Sequence, residues 1–105
     1  MGKRKNARRR AEIKRRLMAV EHDCWLCLLP LDFTISDFRN PWAVEVDEEL
    51  PVSRGGDCLD ISNCHLVHRV CNLIKGNRIL ERGALAGVVR ARMKPKPSRR
   101  WQGRS

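Results

Sequence analysis

Four residues have the types and the spacing to grip a metal ion: Cys24 and Cys27 in Cys24-Trp25-Leu26-Cys27, and His68 and Cys71 in His68-Arg69-Val70-Cys71. Each pair sets two soft ligands on a single turn. Together they can close a tetrahedral site with no open position, the arrangement of structural rather than catalytic Zn²⁺. The 40 residues from 28 to 67 separate the pairs. That gap is permissible because loop-closure entropy grows only logarithmically with length. A metal here would pin two distant segments into one unit. The plain alternative is a set of buried thiols and a core histidine. Cys58 and Cys64 are left over and read as reduced, partly buried small apolar residues. Cys64, four residues before His68, and His22 remain substitute ligands. Five cysteines is an odd number, and no apolar signal core follows the basic N-terminus. Both points favour metal binding in a reducing, cytoplasmic setting over a disulfide framework.

The elements around these pairs follow from periodicity and breakers. Residues 3–21 read as a helix, with Ala7, Ala11, Ile13, Leu17 and Val20 as a thin apolar face. Residues 28–41 read as a loop, broken by Pro30, Asn40 and Pro41. The alternating run Ala43 to Asp47 reads as a short strand, and residues 64–67 as a second. Between them Pro51 to Asp60, with Gly55-Gly56, is a loop. A helix is expected from near His68 to Lys75 and another over 79–92, weakened by Gly83 and Gly87. From Lys94 onward Pro95, Pro97 and basic residues predict a disordered tail. The expected organisation is a basic helical arm (1–22), a zinc-containing domain (23–93) and a basic tail (94–105), one small domain at most. With only three Trp and two Phe, the core should be mostly Leu, Val and Ile. Trp25 and Trp42 are expected in it, beside the cysteine turn and the first strand.

Charge is divided unevenly. The formal net charge is +10. Residues 1–16 carry nine basic groups against Glu12, and residues 90–105 carry seven and no acid. Residues 17–89 hold 6 basic and 11 acidic groups, net −5. Basic arms flanking an acidic body point to a polyanionic partner, nucleic acid before a membrane surface. No apolar run is long enough to span a bilayer. The arm residues Arg8, Arg9, Arg10 and Arg15 are candidate phosphate contacts. No base-reading motif stands out, so weak sequence preference is expected. Trp101, among Arg99, Arg100 and Arg104, could stack on an unpaired base, though an incidental tail aromatic is the plainer reading.

Between the metal pairs lies an ordered set of motifs: Val44-Glu45-Val46-Asp47-Glu48-Glu49-Leu50-Pro51-Val52-Ser53-Arg54-Gly55-Gly56, then Asn63, then Cys71-Asn72-Leu73-Ile74-Lys75-Gly76. Over about residues 24–78 the chain resembles the HNH endonuclease family, in its small zinc-containing phage and prophage form. The resemblance implies an α+β chain of the ββα-metal type: two short antiparallel strands joined by a long loop, then a helix. It implies that Asp47 and Asn72 share one divalent cation, Mg²⁺ or another. It implies that Asn63 braces the loop or orients the base, and that Arg69 and Lys75 lie near the phosphate. Arg54 and Arg78 complete the expected nucleic-acid contacts.

The chain departs from that pattern at one position. Where the family carries its catalytic His, directly after the strand Asp, this chain has Glu48. A reference carboxyl pKa of ~4.3 against ~6.5 for imidazole makes an unperturbed Glu48 the weaker base. Burial or the neighbouring carboxylates would raise it, and a bound Mg²⁺ would lower it. The resemblance thus implies a metal-dependent DNA endonuclease, in which Glu48 deprotonates the attacking water while the cation stabilises the leaving oxygen. His65 is the next candidate base. The rival expectations are a catalytically weak or inactive nucleic-acid-binding zinc module on the same fold, and a basic ribosome- or capsid-associated structural protein. A phage packaging partner, such as a terminase, follows from the resemblance alone.

Overall fold

The computed structural model describes residues 2–92, so the expected tail and Trp101 lie outside the described residues. In chain order the elements are α1 (Gly2–Met18), β1 (Val44–Glu48), two 3₁₀ turns (Val52–Arg54 and Ile61–Asn63), β2 (Cys64–His68), α2 (Arg69–Lys75) and α3 (Ala86–Arg92). The result is an α+β domain with one short antiparallel sheet.

α1 has neither Pro nor an internal Gly to break it, and Ile13 and Leu17, one turn apart, are buried against β2. The apolar face is narrower than the sequence suggested: Ala7 and Ala11 are exposed, and Val20 is 72% exposed. The helix also stops short of residue 21. Val20 and Glu21 N–H both turn back to the Leu17 carbonyl, at 3.0 and 2.7 Å. Glu21 then leaves the helix because its carboxylate accepts from Leu66 N–H (2.7 Å) and meets His65 Nδ1 (3.1 Å).

β1 and β2 pair in register Val44↔His68, Glu45↔Val67, Val46↔Leu66, Asp47↔His65 and Glu48↔Cys64. Directly opposed residues share a face. Val44, Val46 and Glu48 therefore lie with Cys64, Leu66 and His68, on the face that α1 covers. Glu45 and Asp47 lie on the other face, against α2. The core gathers Ile13, Leu17, Leu26, Leu66, Val67, Val70, Leu85 and Val89 around the cysteines.

The loop between the strands turns where Gly56 passes the chain: a Cβ there would lie 1.7 Å from the Leu50 carbonyl oxygen. Only glycine permits that approach.

The expected helix over 79–92 is realised only from Ala86. Residues before it pair with the cysteine turn instead, Gly83 N–H to Trp25 O (2.8 Å) and Leu85 N–H to Leu26 O (2.9 Å), with Gly83 at φ 79°. Tertiary hydrogen bonds thus displace the first helical turns that local pattern favours.

Candidate metal centre

Three segments bring the four metal-type ligands to one point. The turn after Asp23 carries Cys24 and Cys27, the end of β2 carries His68, and the first turn of α2 carries Cys71. Their ligand atoms all lie within 4.8 Å of one another. All three cysteines are fully buried and His68 is 2% exposed. For thiolates ~2.3 Å from Zn²⁺, tetrahedral geometry places ligand atoms about 3.8 Å apart, so small adjustments would seat the ion.

The turn itself is built for this. Cys27 N–H and His68 N–H both point at Cys24 Sγ, each at 3.4 Å. Leu28 closes the turn with φ 66° and an N–H to Cys24 O at 2.9 Å. Its side chain rests on Gly83, where a Cβ would come within 3.2 Å of it.

His68 Nδ1 faces Cys27 Sγ (3.3 Å) and Cys71 Sγ (3.9 Å). Its Nε2 donates to the Pro30 carbonyl at 3.1 Å, which fixes the ring and leaves the Nδ1 lone pair as the ligand. Trp42 meets the ring edge-on, with centroids 5.0 Å apart.

The electrostatics ask for a cation. Hydrogen bonds from the Cys27 and Cys71 thiols hold Cys24 far below its usual value, as thiolate. Cys71 is pushed far up because it donates to Cys24 and Cys27. Burial alone would pull His68 down, but its bonds to Cys24 and Cys27 outweigh that and raise it to about 9. A negative cluster that stabilises positive charge at its centre suits Zn²⁺, which would replace those shared protons.

The substitute ligands drop out. Cys64 Sγ donates to Asp60 O (3.2 Å) and Cys58 O (3.6 Å), and burial raises it to about 11, so it stays a thiol. His22 is exposed, and neither it nor Cys64 belongs to the cluster.

At the far end of the ladder the ionisable groups are arranged differently. Lys75, 1% exposed, directs its ammonium at Asp47 (Oδ2 3.1 Å, Oδ1 3.4 Å) and at the Glu48 carbonyl (3.0 Å). Burial raises the Asp47 carboxyl above its ordinary value, and Lys75 offsets only part of that. Asn72 does not turn to Asp47: its Nδ2 donates to Glu45 Oε1 at 2.9 Å, while Arg69 reaches Glu45 Oε2 at 3.5 Å. Arg69, Asn72 and Lys75, three apart on α2, are thus zipped to Glu45 and Asp47, two apart on β1. Lys75 is consequently enclosed rather than presented to a ligand.

Glu48 turns to the opposite face, towards α1. Burial, then the charge of Asp47, raises its carboxyl above the ordinary value. Asn63 holds the loop, donating to Leu50 O (3.0 Å) and Asp57 O (3.2 Å) and accepting from Leu50 N–H (2.9 Å). Arg54 and Arg78 are exposed but tied to the end of α2: Arg54 Nε donates to Asn77 O (2.9 Å), and Arg78 donates to Lys75 O (3.1 Å) and Ile74 O (2.7 Å).

On α1, Arg9 pairs with Glu12 (2.9 Å) and Leu59 O (3.4 Å), and Arg10 contacts Cys58 Sγ (3.5 Å). Arg8 and Arg15 are exposed and make no side-chain bond among the described residues.

Two groups have partners that the sequence did not reveal. His65, expected only as a reserve base, sits between Glu21 and Glu49 (3.1 and 2.9 Å) and stacks on Trp25 with centroids 4.3 Å apart. Glu45 emerges as the partner of Asn72. Its position two before Asp47 on a strand was the available signal.

No family model matches the chain, and no curated protein or solved structure is detectably similar to it.

Proposed function

We propose that this chain is a nucleic-acid-binding module, folded around a structural Zn²⁺, that holds DNA through phosphate contacts with little sequence preference. The observation that carries the reading is the one-sided chemistry of α1. Ile13 and Leu17 fix its inner face to the sheet. Arg8 and Arg15, seven residues apart, fall on nearly the same side of a helix of ~3.6 residues per turn, away from that inner face. Both are unengaged among the described residues. Exposed guanidiniums held on a rigid rod are suited to a phosphate backbone. The zipper supports binding over catalysis, since a divalent ion at Asp47 would have to expel a buried ammonium.

The test is the salt dependence of duplex DNA binding by fluorescence anisotropy. Replacing Arg8 and Arg15 together with Gln should reduce the log–log slope by about 2, near 0.9 for each lost phosphate contact. Removing residues 1–16 would be a poor test, because Ile13 is in the core. A parent protein whose binding ignores salt would overturn the reading.

A second reading, a metal-dependent HNH-type endonuclease, is favoured by Glu48. Its carboxyl is raised by burial and by the charge of Asp47, and it follows Asp47 at the end of β1, where a general base would stand. In that reading Asp47 and Asn72 would hold Mg²⁺ once freed from Lys75 and Glu45, and a phage packaging partner becomes relevant. Plasmid nicking by the zinc-loaded chain with Mg²⁺ or Mn²⁺ added, lost in Asp47→Ala, would establish it. No nicking under those conditions leaves the binding module.

A further inference from the structure

On the α1 side of the sheet Glu48 and Arg10 face one open pocket of about 230 Å³, walled by Val46, Val52 and Cys58. The Glu48 carboxylate is half-buried, yet among the described residues it has no hydrogen-bond or ion-pair partner. A carboxylate drawn out of water without a donor is costly. Arg10 is exposed and gives one N–H to Cys58 Sγ at 3.5 Å, a weak acceptor, which leaves most of its five donors free. The two charges influence each other but do not pair. The pocket therefore offers two acceptor oxygens and a fork of donors, alongside the apolar side chains of Val46 and Val52. Such a site fits a flat heterocycle with adjacent donors and a neighbouring acceptor.

We propose that this pocket takes one unpaired guanine of a single-stranded nucleic acid, with Glu48 accepting from N1–H and N2–H and Arg10 donating to O6. The proposal rests on the nucleic-acid reading above. Guanine alone among the common bases presents two adjacent donors, which matches the two oxygens of a carboxylate. Cytosine and adenine present one exocyclic amine. Thymine and uracil flank their one N–H with carbonyl oxygens that repel Glu48. In a duplex, guanine N1–H and N2–H are already paired, so the site selects unpaired bases. A paired guanine would first have to be extruded from the stack.

The experiment measures anisotropy of short labelled oligothymidine strands with the zinc-loaded full chain, without added Mg²⁺. One central thymine is replaced in turn by guanine, hypoxanthine or cytosine. The guanine strand should bind about 10-fold tighter than oligothymidine, in the range a bidentate side chain–base pair provides. Hypoxanthine, which lacks the N2 amine, should recover only part of that, and cytosine less. Glu48→Gln, checked for parental zinc content and circular dichroism, should erase the guanine preference and tighten oligothymidine binding by removing a like charge. Equal affinity for all strands, or a preference that survives Glu48→Gln, overturns the pocket and leaves the binding module standing. Failure of every strand to bind at low salt overturns both.

Discussion

The two ends of the β1–β2 ladder treat charge in opposite ways. At the Val44↔His68 end, groups from three segments converge on one point and are sealed from solvent. At the Glu48↔Cys64 end, two adjacent carboxylates are sent apart, Asp47 to a buried ammonium beneath α2 and Glu48 to an open pocket beside α1. Only four residue steps separate the two ends, roughly 13 Å along an extended strand. The difference lies in local geometry. A spacing of three on a turn or helix start gathers side chains, whereas adjacency on a strand divides them between two faces. Metal affinity therefore belongs to the first end and neighbour-dependent chemistry to the second.

The largest effect should come from breaking the gathered end. Chelation, or Cys27→Ser, should unfold the described domain, because binding energies of about 10–16 kcal/mol for structural Zn²⁺ become folding energy in small domains. Far-UV circular dichroism together with released Zn²⁺ would show one cooperative loss. A zinc-free chain with an intact spectrum would mean that the hydrophobic cluster suffices and that the clamp is incidental.

The next effect tests the divided end. Asp47→Asn should cost about 3–5 kcal/mol in denaturant unfolding of the zinc-loaded protein, since it strands the Lys75 ammonium at 1% exposure. Asp47 itself is raised by its burial, so the loss falls on Lys75 rather than on the carboxylate. Adding Lys75→Met to Asp47→Asn should recover most of it. If the double variant is as unstable as Asp47→Asn, the pair is not what links α2 to β1.

How far each end could be read from the sequence follows the same division. Cys24, Cys27, His68 and Cys71 announce themselves because both pairs are local and chemically unambiguous. The strand–strand–helix order was legible too, from β-branched alternation in Val44 to Asp47 and the breakers around it. The pairing of Asp47 with Lys75, of Asn72 with Glu45, and of His65 with Glu21 and Glu49 was not. Each joins residues 16 to 44 positions apart and depends on which strand face a helix covers. The shortened α3 was hidden for a related reason: Gly83 and Leu85 bond to the cysteine turn, and no local pattern encodes that partner.

The smallest effect sharpens the comparison most, because it asks neighbouring carboxylates to answer with opposite sign. Glu48 is raised in the folded chain by burial and by Asp47, so the fold binds its proton more tightly than the unfolded chain does. Its contribution to stability is then full below its unfolded value near 4.5 and is lost as pH rises through the raised folded value. At neutral pH the ionised group is a net burden. Glu48→Gln should therefore stabilise the zinc-loaded protein at pH 7, by less than about 1 kcal/mol given its partial exposure. The gain should shrink as pH falls towards the carboxyl range. Thermal unfolding between pH 6 and 8 would register a small upward shift, against the large downward shift for Asp47→Asn. A loss of stability in Glu48→Gln would mean that Glu48 has a donor within the fold, and the two faces of β1 would then differ less than their contacts indicate.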